Sequence, residues 1–379
     1  MMWKKNAVGS LLAIICIIDI SAQAMIANPI ISRQKPTCGS TSGTAILVDG
    51  KFNTHAWPVA NGSWVAIKVG AGPTRVFFNW NNPAYSWSDN IGQATSCKNN
   101  MSVPRDYDIL TSSNSTNGLD GNWTTVDSVR ANTVTARGHL IDFTGACWVK
   151  MSIIKGGGQL DEIEVFDASK GAQDIWFFPG TSITANTYKE LFVSERNFAD
   201  IVAAAHPGFN PAMIRGGIGC INSTTFAADV SKYLAMTRNV HYWAIEMGTN
   251  DAWGGTDSGV AAFTKNMQLV IDSCKAAGIQ PIIARMIATD SAKAGWQVNS
   301  NYLKAIDSLT SVNNLIQGPD LYAWFKTHRG GYNPDGVHPN RIGGAAIQKL
   351  WAIKMSNLYN AESVVIPAAR PIFDKSYSK

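Results

Sequence analysis

The sequence predicts two unlike halves: an antiparallel β-sandwich, then a parallel α/β sheet covered by helices on both faces. Three observations carry this. From Gly39 to about Ala168, short runs of β-formers are separated by Gly, Asn, Pro and Ser. From Asp174 onward, apolar strand-like runs alternate with helical spacing. A length of 379 residues favours two domains over one. The boundary falls near Ser169-Lys170-Gly171-Ala172.

In the first half, Trp64–Val69, Thr74–Trp80 and Trp148–Ile154 read as strands, and Ser112–Asn122 as a polar loop. Trp57, Trp64, Trp80, Trp123 and Trp148 are expected in the core. Trp87 stands in the polar stretch Tyr85–Asn90 and is the candidate for stacking on a sugar. In the second half, Ile175–Phe178, Ala212–Ile214, Tyr242–Met247 and Pro281–Met286 read as strands. Helices are expected over Tyr188–Ala205 (on Leu191, Phe192, Phe198, Ile201 and Val202), Phe226–Thr237, Val260–Ala277, Tyr302–Thr310 and Ile342–Leu358. A glycine turn, Gly216-Gly217-Ile218-Gly219, follows the second of these strands.

The amino terminus reads as a leader. Lys4 and Lys5 precede the apolar run Ala7–Ile18, and Ala22-Gln23-Ala24 offers a small-residue cleavage site. That run is too short to span a bilayer, so a periplasmic or secreted protein with no membrane span is expected. A net charge of +5 is too mild to point to nucleic acid. Of six cysteines, Cys16 falls in the leader; Cys38, Cys97, Cys147, Cys220 and Cys274 remain. In an oxidising compartment a disulfide is expected among the first three, and the odd count leaves at least one thiol unpaired. Cys220 is expected to be structural. No Cys-x-x-Cys pair or His-rich cluster points to zinc, and no cofactor is expected.

The chemistry gathers at Trp176–Thr184, where an apolar run stops at Gly180-Thr181-Ser182 and a helical pattern follows. A serine at a strand-to-helix junction stands where open α/β sheets bind ligands, and a helix amino end favours negative charge. Acyl transfer by serine needs a base, a carboxylate to orient it, and donors for the oxyanion. His338 and Asp335, three residues apart across a glycine turn, fit the first two needs. Asn250 fits the third, with backbone N–H groups of Ser182 and of the Gly216–Gly219 turn. Singly, each has a plainer reading: a cap, a loop histidine beside proline, a helix start. Their order and placement favour the joint one. His55, His139, His206, His241 and His328 lack such company and are given no role.

These blocks, Gly180-Thr181-Ser182-Ile183-Thr184, the glycine turn, Gly248-Thr249-Asn250-Asp251 and Asp335-Gly336-Val337-His338, resemble in order those of the SGNH hydrolases, a branch of the GDSL esterases and lipases. The resemblance covers about residues 174–360. It implies a three-layer α/β/α flavodoxin-like fold and metal-free serine esterase chemistry. It also implies catalytic roles for Ser182, Asp335 and His338, and oxyanion roles for Gly219 and Asn250. Two departures stand out: Thr181 replaces the family's usual aspartate, and the block Arg215–Ser223 aligns in more than one register. Gly219 is favoured there, with Gly217 or the Cys220 backbone as alternatives.

Leu47-Val48-Asp49-Gly50-Lys51 with Trp57, then Trp64–Gly70, Tyr107–Ser113 with Trp123, and Leu160–Asp167, resemble discoidin-like (galactose-binding-type) jelly-roll sandwiches. That resemblance implies glycan-binding loops and a structural calcium. The expected organisation is a signal peptide (1–24), a sandwich (39–168), a hydrolase unit (172–365) and an extended tail (366–379). The expected activity is removal of O-acyl groups, foremost O-acetyl, from a polysaccharide through an acyl-Ser182 intermediate. The alternatives are a broad acyl esterase or lipase, and an inactive glycan-binding protein, for which Thr181 is the motive. The polymer and the oligomeric state are not legible in the sequence.

Overall fold

A computed structural model describes residues 25–51, 57–81, 103–189 and 195–359. The expected signal peptide, Trp87, Cys97, Leu191, Phe192 and the tail 366–379 lie outside the described residues.

The first half is antiparallel. Its strands are β1 (Thr37–Gly39), β2 (Trp57–Val59), β3 (Trp64–Lys68), β4 (Arg75–Asn81), β5 (Pro104–Ser112), β6 (Thr124–Val129), β7 (Ala136–Asp142), β8 (Trp148–Gly156), β9 (Gly158–Leu160) and β10 (Glu162–Asp167). They form a five-stranded sheet β1-β3-β8-β5-β6, a three-stranded sheet β10-β4-β7 and a β2-β9 pair. Alternation drives the packing: Tyr107 and Ile109 of β5 and Val149, Met151 and Ile153 of β8 turn inward onto Val76, Phe78 and Trp80 of β4. Trp57, Trp80 and Trp148 are buried as expected. Trp64 and Trp123 are not core residues. Both are half-buried around the Lys150 ammonium, which lies 4.8 and 3.5 Å from their ring centroids, so a cation holds them at the surface.

The second half has parallel strands β11 (Ile175–Gly180), β12 (Ala212–Gly217), β13 (Tyr242–Ile245), β14 (Gln280–Arg285) and β15 (Gln317–Asp320) in the order β12-β11-β13-β14-β15. This is the flavodoxin-like order, with its switch point between β11 and β13. Its helices are α1 (Ser182–Lys189), α2 (Phe198–Ala205), α3 (Ser223–Ala228), α4 (Val230–Met236), α5 (Val260–Ala276), α6 (Ser291–Ala294), α7 (Ser300–Val312), α8 (Leu321–Thr327) and α9 (Arg341–Met355). One core holds Phe226, Tyr233, Phe263 and Tyr302 from α3, α4, α5 and α7; the other holds Ile183, Phe198, Phe325 and Trp351 from α1, α2, α8 and α9. The sheet lies between them, which makes three layers. Strands β11 and β12 are buried at every position, as strands covered on both faces must be.

The halves share one core, in which Phe77, Ala136 and Phe166 pack with Phe177 and Ile214. Edge strand β12 is covered by the sandwich: Asn79 Nδ2 donates to Met213 O at 2.8 Å, and buried Arg215 meets Asp161 at 3.3 Å.

Four expectations need correction. The expected helix Tyr188–Ala205 is two helices, because Asn197 and Asp200 form a capping box that starts α2 afresh. The helix Phe226–Thr237 breaks at Asp229 into α3 and α4. Strand β12 runs on through Gly216 and Gly217, so only the end of the expected glycine turn is a turn. Cys38 and Cys147 are both free, so no disulfide joins two of the first three cysteines; Cys220 is disulfide-bonded instead.

Candidate active site

Ser182 is the first residue of α1, two positions beyond the end of β11 at the switch point. The strand-to-helix turn is tight: a Cβ at Gly180 would collide with Thr184 Oγ1. Ser182 is half-buried, and its Oγ lies 2.8 Å from His338 Nε2. On the other side of the ring, His338 Nδ1 lies 2.6 Å from Asp335 Oδ2. An ionised carboxylate only accepts, so Nδ1 carries the proton and Nε2 is left to accept the Ser182 hydroxyl.

The loop holding Asp335 and His338 is fixed from several sides. Asp335 Oδ1 accepts the Val337 and His338 N–H groups at 2.9 and 3.0 Å. Gly336 turns at φ +70°, and its carbonyl accepts Asp290 N–H at 2.8 Å. Asn333 N–H donates to His338 O at 2.8 Å. Partial burial works to raise the Asp335 carboxyl, but these N–H groups and the imidazole outweigh it and hold it below the usual carboxylate range.

The Gly248–Asp251 loop follows β13, and its glycine turns at φ +121° where a Cβ would collide with Met286. Asn250 Nδ2 donates to Ile221 O at 2.7 Å, which ties this loop to the turn after β12. A primary amide has two N–H groups, so one remains to offer elsewhere. Asp251 accepts Ser223 Oγ at 2.5 Å and Ser223 N–H at 3.0 Å, and Tyr302 OH donates to Asp251 O at 2.7 Å. Gly219 lies in that same turn, two residues before Ile221, with open space where a Cβ would stand. The fold therefore brings Ser182, Asp335 and His338 into one hydrogen-bonded chain and sets Asn250 beside the Gly219 turn.

Two groups escaped the sequence reading. Glu246 is buried under Ser182: its carboxylate accepts Thr181 Oγ1 at 3.2 Å, Thr184 Oγ1 at 3.3 Å and Thr249 Oγ1 at 3.4 Å. Burial pushes it up to about 7, against the pull of these hydroxyls. The signal was present, an acid inside the apolar run Tyr242–Met247. His139, given no role, has company after all, with Asp127 at 2.6 Å and Tyr107 OH at 2.9 Å inside the sandwich.

The calcium implied for the sandwich has one observation in its favour. Glu162 Oε2 is buried without a partner, and burial beside Glu164 raises its carboxyl well above the usual range. Among the described residues, however, no group of three or more His, Cys, Asp or Glu gathers to hold a metal. Nor is any described helix long and apolar enough to cross a membrane.

No family model matches the chain, and no curated protein is significantly similar to it. Among solved structures, a lipase/acylhydrolase from Enterococcus faecalis is similar at 19% identity and TM-score 0.41, covering 50% of this chain and 99% of that one. An acetylxylan esterase from Geobacillus stearothermophilus is similar at 15% identity and TM-score 0.38, covering 52% and 97%. Chitosan-binding module 2 of a chitosanase/glucanase from Paenibacillus sp. IK-5 is similar at 23% identity and TM-score 0.28, covering 36% and 98%.

Proposed function

We propose that the protein is an exported serine ester hydrolase that removes O-acyl groups, acetyl foremost, from a polysaccharide. The observation that carries this reading is the continuous chain Asp335–His338–Ser182, with contacts of 2.6 and 2.8 Å. In the first half-reaction, Ser182 Oγ attacks the ester carbonyl while His338 Nε2 takes its proton, and Asp335 stabilises the imidazolium. Asn250 Nδ2, the Gly219 N–H and the Ser182 N–H are the proposed donors to the oxyanion. Collapse expels the sugar hydroxyl, which takes the proton back from His338, and leaves acyl-Ser182. Water then repeats the sequence, releasing the carboxylic acid and free Ser182.

A carbohydrate substrate is supported by the sandwich packed on the α/β half and by Trp253. This side chain, 55% exposed and three residues beyond Asn250, pairs with Trp296 at 5.2 Å and offers an exposed aromatic face near that loop. Export rests on the leader-like residues 1–24.

The test is acetate release from a panel of acetylated polysaccharides by the wild type and Ser182→Ala. The wild type should release acetate from at least one polymer and Ser182→Ala from none. Trp253→Ala should lose polymer turnover while keeping 4-nitrophenyl acetate hydrolysis. Equal release by Ser182→Ala would overturn the reading.

A further inference from the structure

Resting on that reading, we propose that Glu246 is a positioning residue for the hydrolysis. Its carboxylate clamps the turn that presents Ser182 to the loop that presents Asn250. The geometry is specific. Oε2 accepts the hydroxyls of Thr181, which precedes Ser182, and Thr184, which lies in the first turn of α1. Oε1 accepts the hydroxyl of Thr249, which precedes Asn250. The backbone adds to the clamp: Glu246 N–H donates to Pro179 O at 3.2 Å, and Gly180 and Glu246 form a parallel bridge. One side chain thus joins the two segments that carry the nucleophile and the amide donor.

Packing alone does not account for this acid. Glu246 is 2% exposed, and the groups acting on it are three threonine hydroxyls and the Thr181 backbone N–H, with no cation among them. A buried carboxylate without a counter-ion is costly, and apolar side chains such as its neighbours Ile245 and Met247 would fill the space without that cost. Thr181 fits the same account. It donates to Glu246 and accepts Ile183 N–H at 3.2 Å, so it links the buried acid to the start of α1. With Thr181 before Ser182, the nearby carboxylate comes from Glu246, the residue just past β13.

The test uses the full-length protein, 4-nitrophenyl acetate as substrate, and titration with a fluorophosphonate to count reactive Ser182. In Glu246→Gln, kcat per titrated site should fall by about ten- to a hundredfold with KM unchanged, because a misplacement of about 1 Å costs about 10²-fold. Thr249→Val, which cuts only the tie to the Asn250 loop, should lower kcat per site in the same direction and by less. If both variants keep wild-type kcat per titrated site and lose only melting temperature or titratable fraction, Glu246 is a structural acid and the proposal fails. If Glu246→Gln does not fold, Thr249→Val decides by the same criterion. Full hydrolysis by Ser182→Ala is a separate failure: it sinks the hydrolase reading and the clamp with it.

Discussion

The chain contains the same polar relay twice. In the α/β half, Asp335 holds His338, which meets the Ser182 hydroxyl; in the sandwich, Asp127 holds His139, which meets the Tyr107 hydroxyl. Both carboxylates face Nδ1, both hydroxyls face Nε2, and the distances agree within 0.1 Å: 2.6 and 2.8 Å in the first, 2.6 and 2.9 Å in the second. The difference lies at the far end. The Tyr107 oxygen is fully buried and also accepts Trp80 Nε1–H at 3.0 Å, so no substrate can reach it. Burial raises that phenol further. Ser182 is half-buried at the carboxyl end of the sheet and at a helix start. An Asp–His–hydroxyl chain is therefore a way of satisfying three polar groups; it becomes catalytic machinery only where the hydroxyl is accessible and the developing charge has donors.

The largest expected effects separate the two relays by function. Ser182→Ala and His338→Ala should each lower kcat on 4-nitrophenyl acetate by about 10⁴-fold or more, and the double variant should lose little beyond that. Tyr107→Phe and Asp127→Asn should leave kcat unchanged. A similar loss in the sandwich variants would break the comparison. Next in size, Asp335→Asn should cost about 10²- to 10⁴-fold in kcat, because an amide can present its N–H to Nδ1 and reverse the tautomer.

The sandwich relay should show itself in stability instead. Tyr107→Phe removes the acceptor of Trp80 Nε1–H and the donor to His139 Nε2 inside a closed core. A stranded buried polar group costs about 1–3 kcal/mol, readable as a lower urea midpoint. Ser182→Ala, at an accessible position, should leave that midpoint almost unmoved.

What the sequence made legible follows the same divide. Strands such as β8, β11 and β13 could be read because burial on one or both faces imposes an apolar pattern on consecutive residues. That Ser182, Asp335 and His338 meet could be anticipated because glycine turns and strand ends mark where side chains meet solvent. Strand β15 could not: Gln317-Gly318-Pro319-Asp320 has no strand composition, and it is tolerated at the sheet edge, where only one side pairs. Glu246 shows in the sequence only as an acid in an apolar run. The residues that give it and His139 their settings include distant ones: Thr181 is 65 residues from Glu246, and Tyr107 is 32 from His139. A threonine hydroxyl has no pattern of its own until the fold supplies the acid.

The smallest effect is also the most discriminating, since it depends on the sign of each buried group. Burial holds the His139 imidazole below its ordinary value of 6.5, so on acidification the unfolded chain takes a proton that the folded one refuses. The contribution of His139 thus rises with pH and is complete above about 6.5. Glu246, Glu164 and Asp174 run the other way. Burial pushes each up to about 7, from 4.5 for the glutamates and 3.8 for the aspartate. Between those values the folded chain holds protons that the unfolded one has released. The stabilisation is therefore full below about pH 4 and lost as pH climbs through 7. Three carboxyls oppose one imidazole, so the urea midpoint should decline from pH 5 to pH 8. Asp174→Asn should flatten that decline, and His139→Gln should steepen it by removing the only one of these four groups that gains with pH. A decline flattened by His139→Gln would mean that the imidazole is charged in the fold, and the sandwich relay would then be an ion pair closed by a phenol.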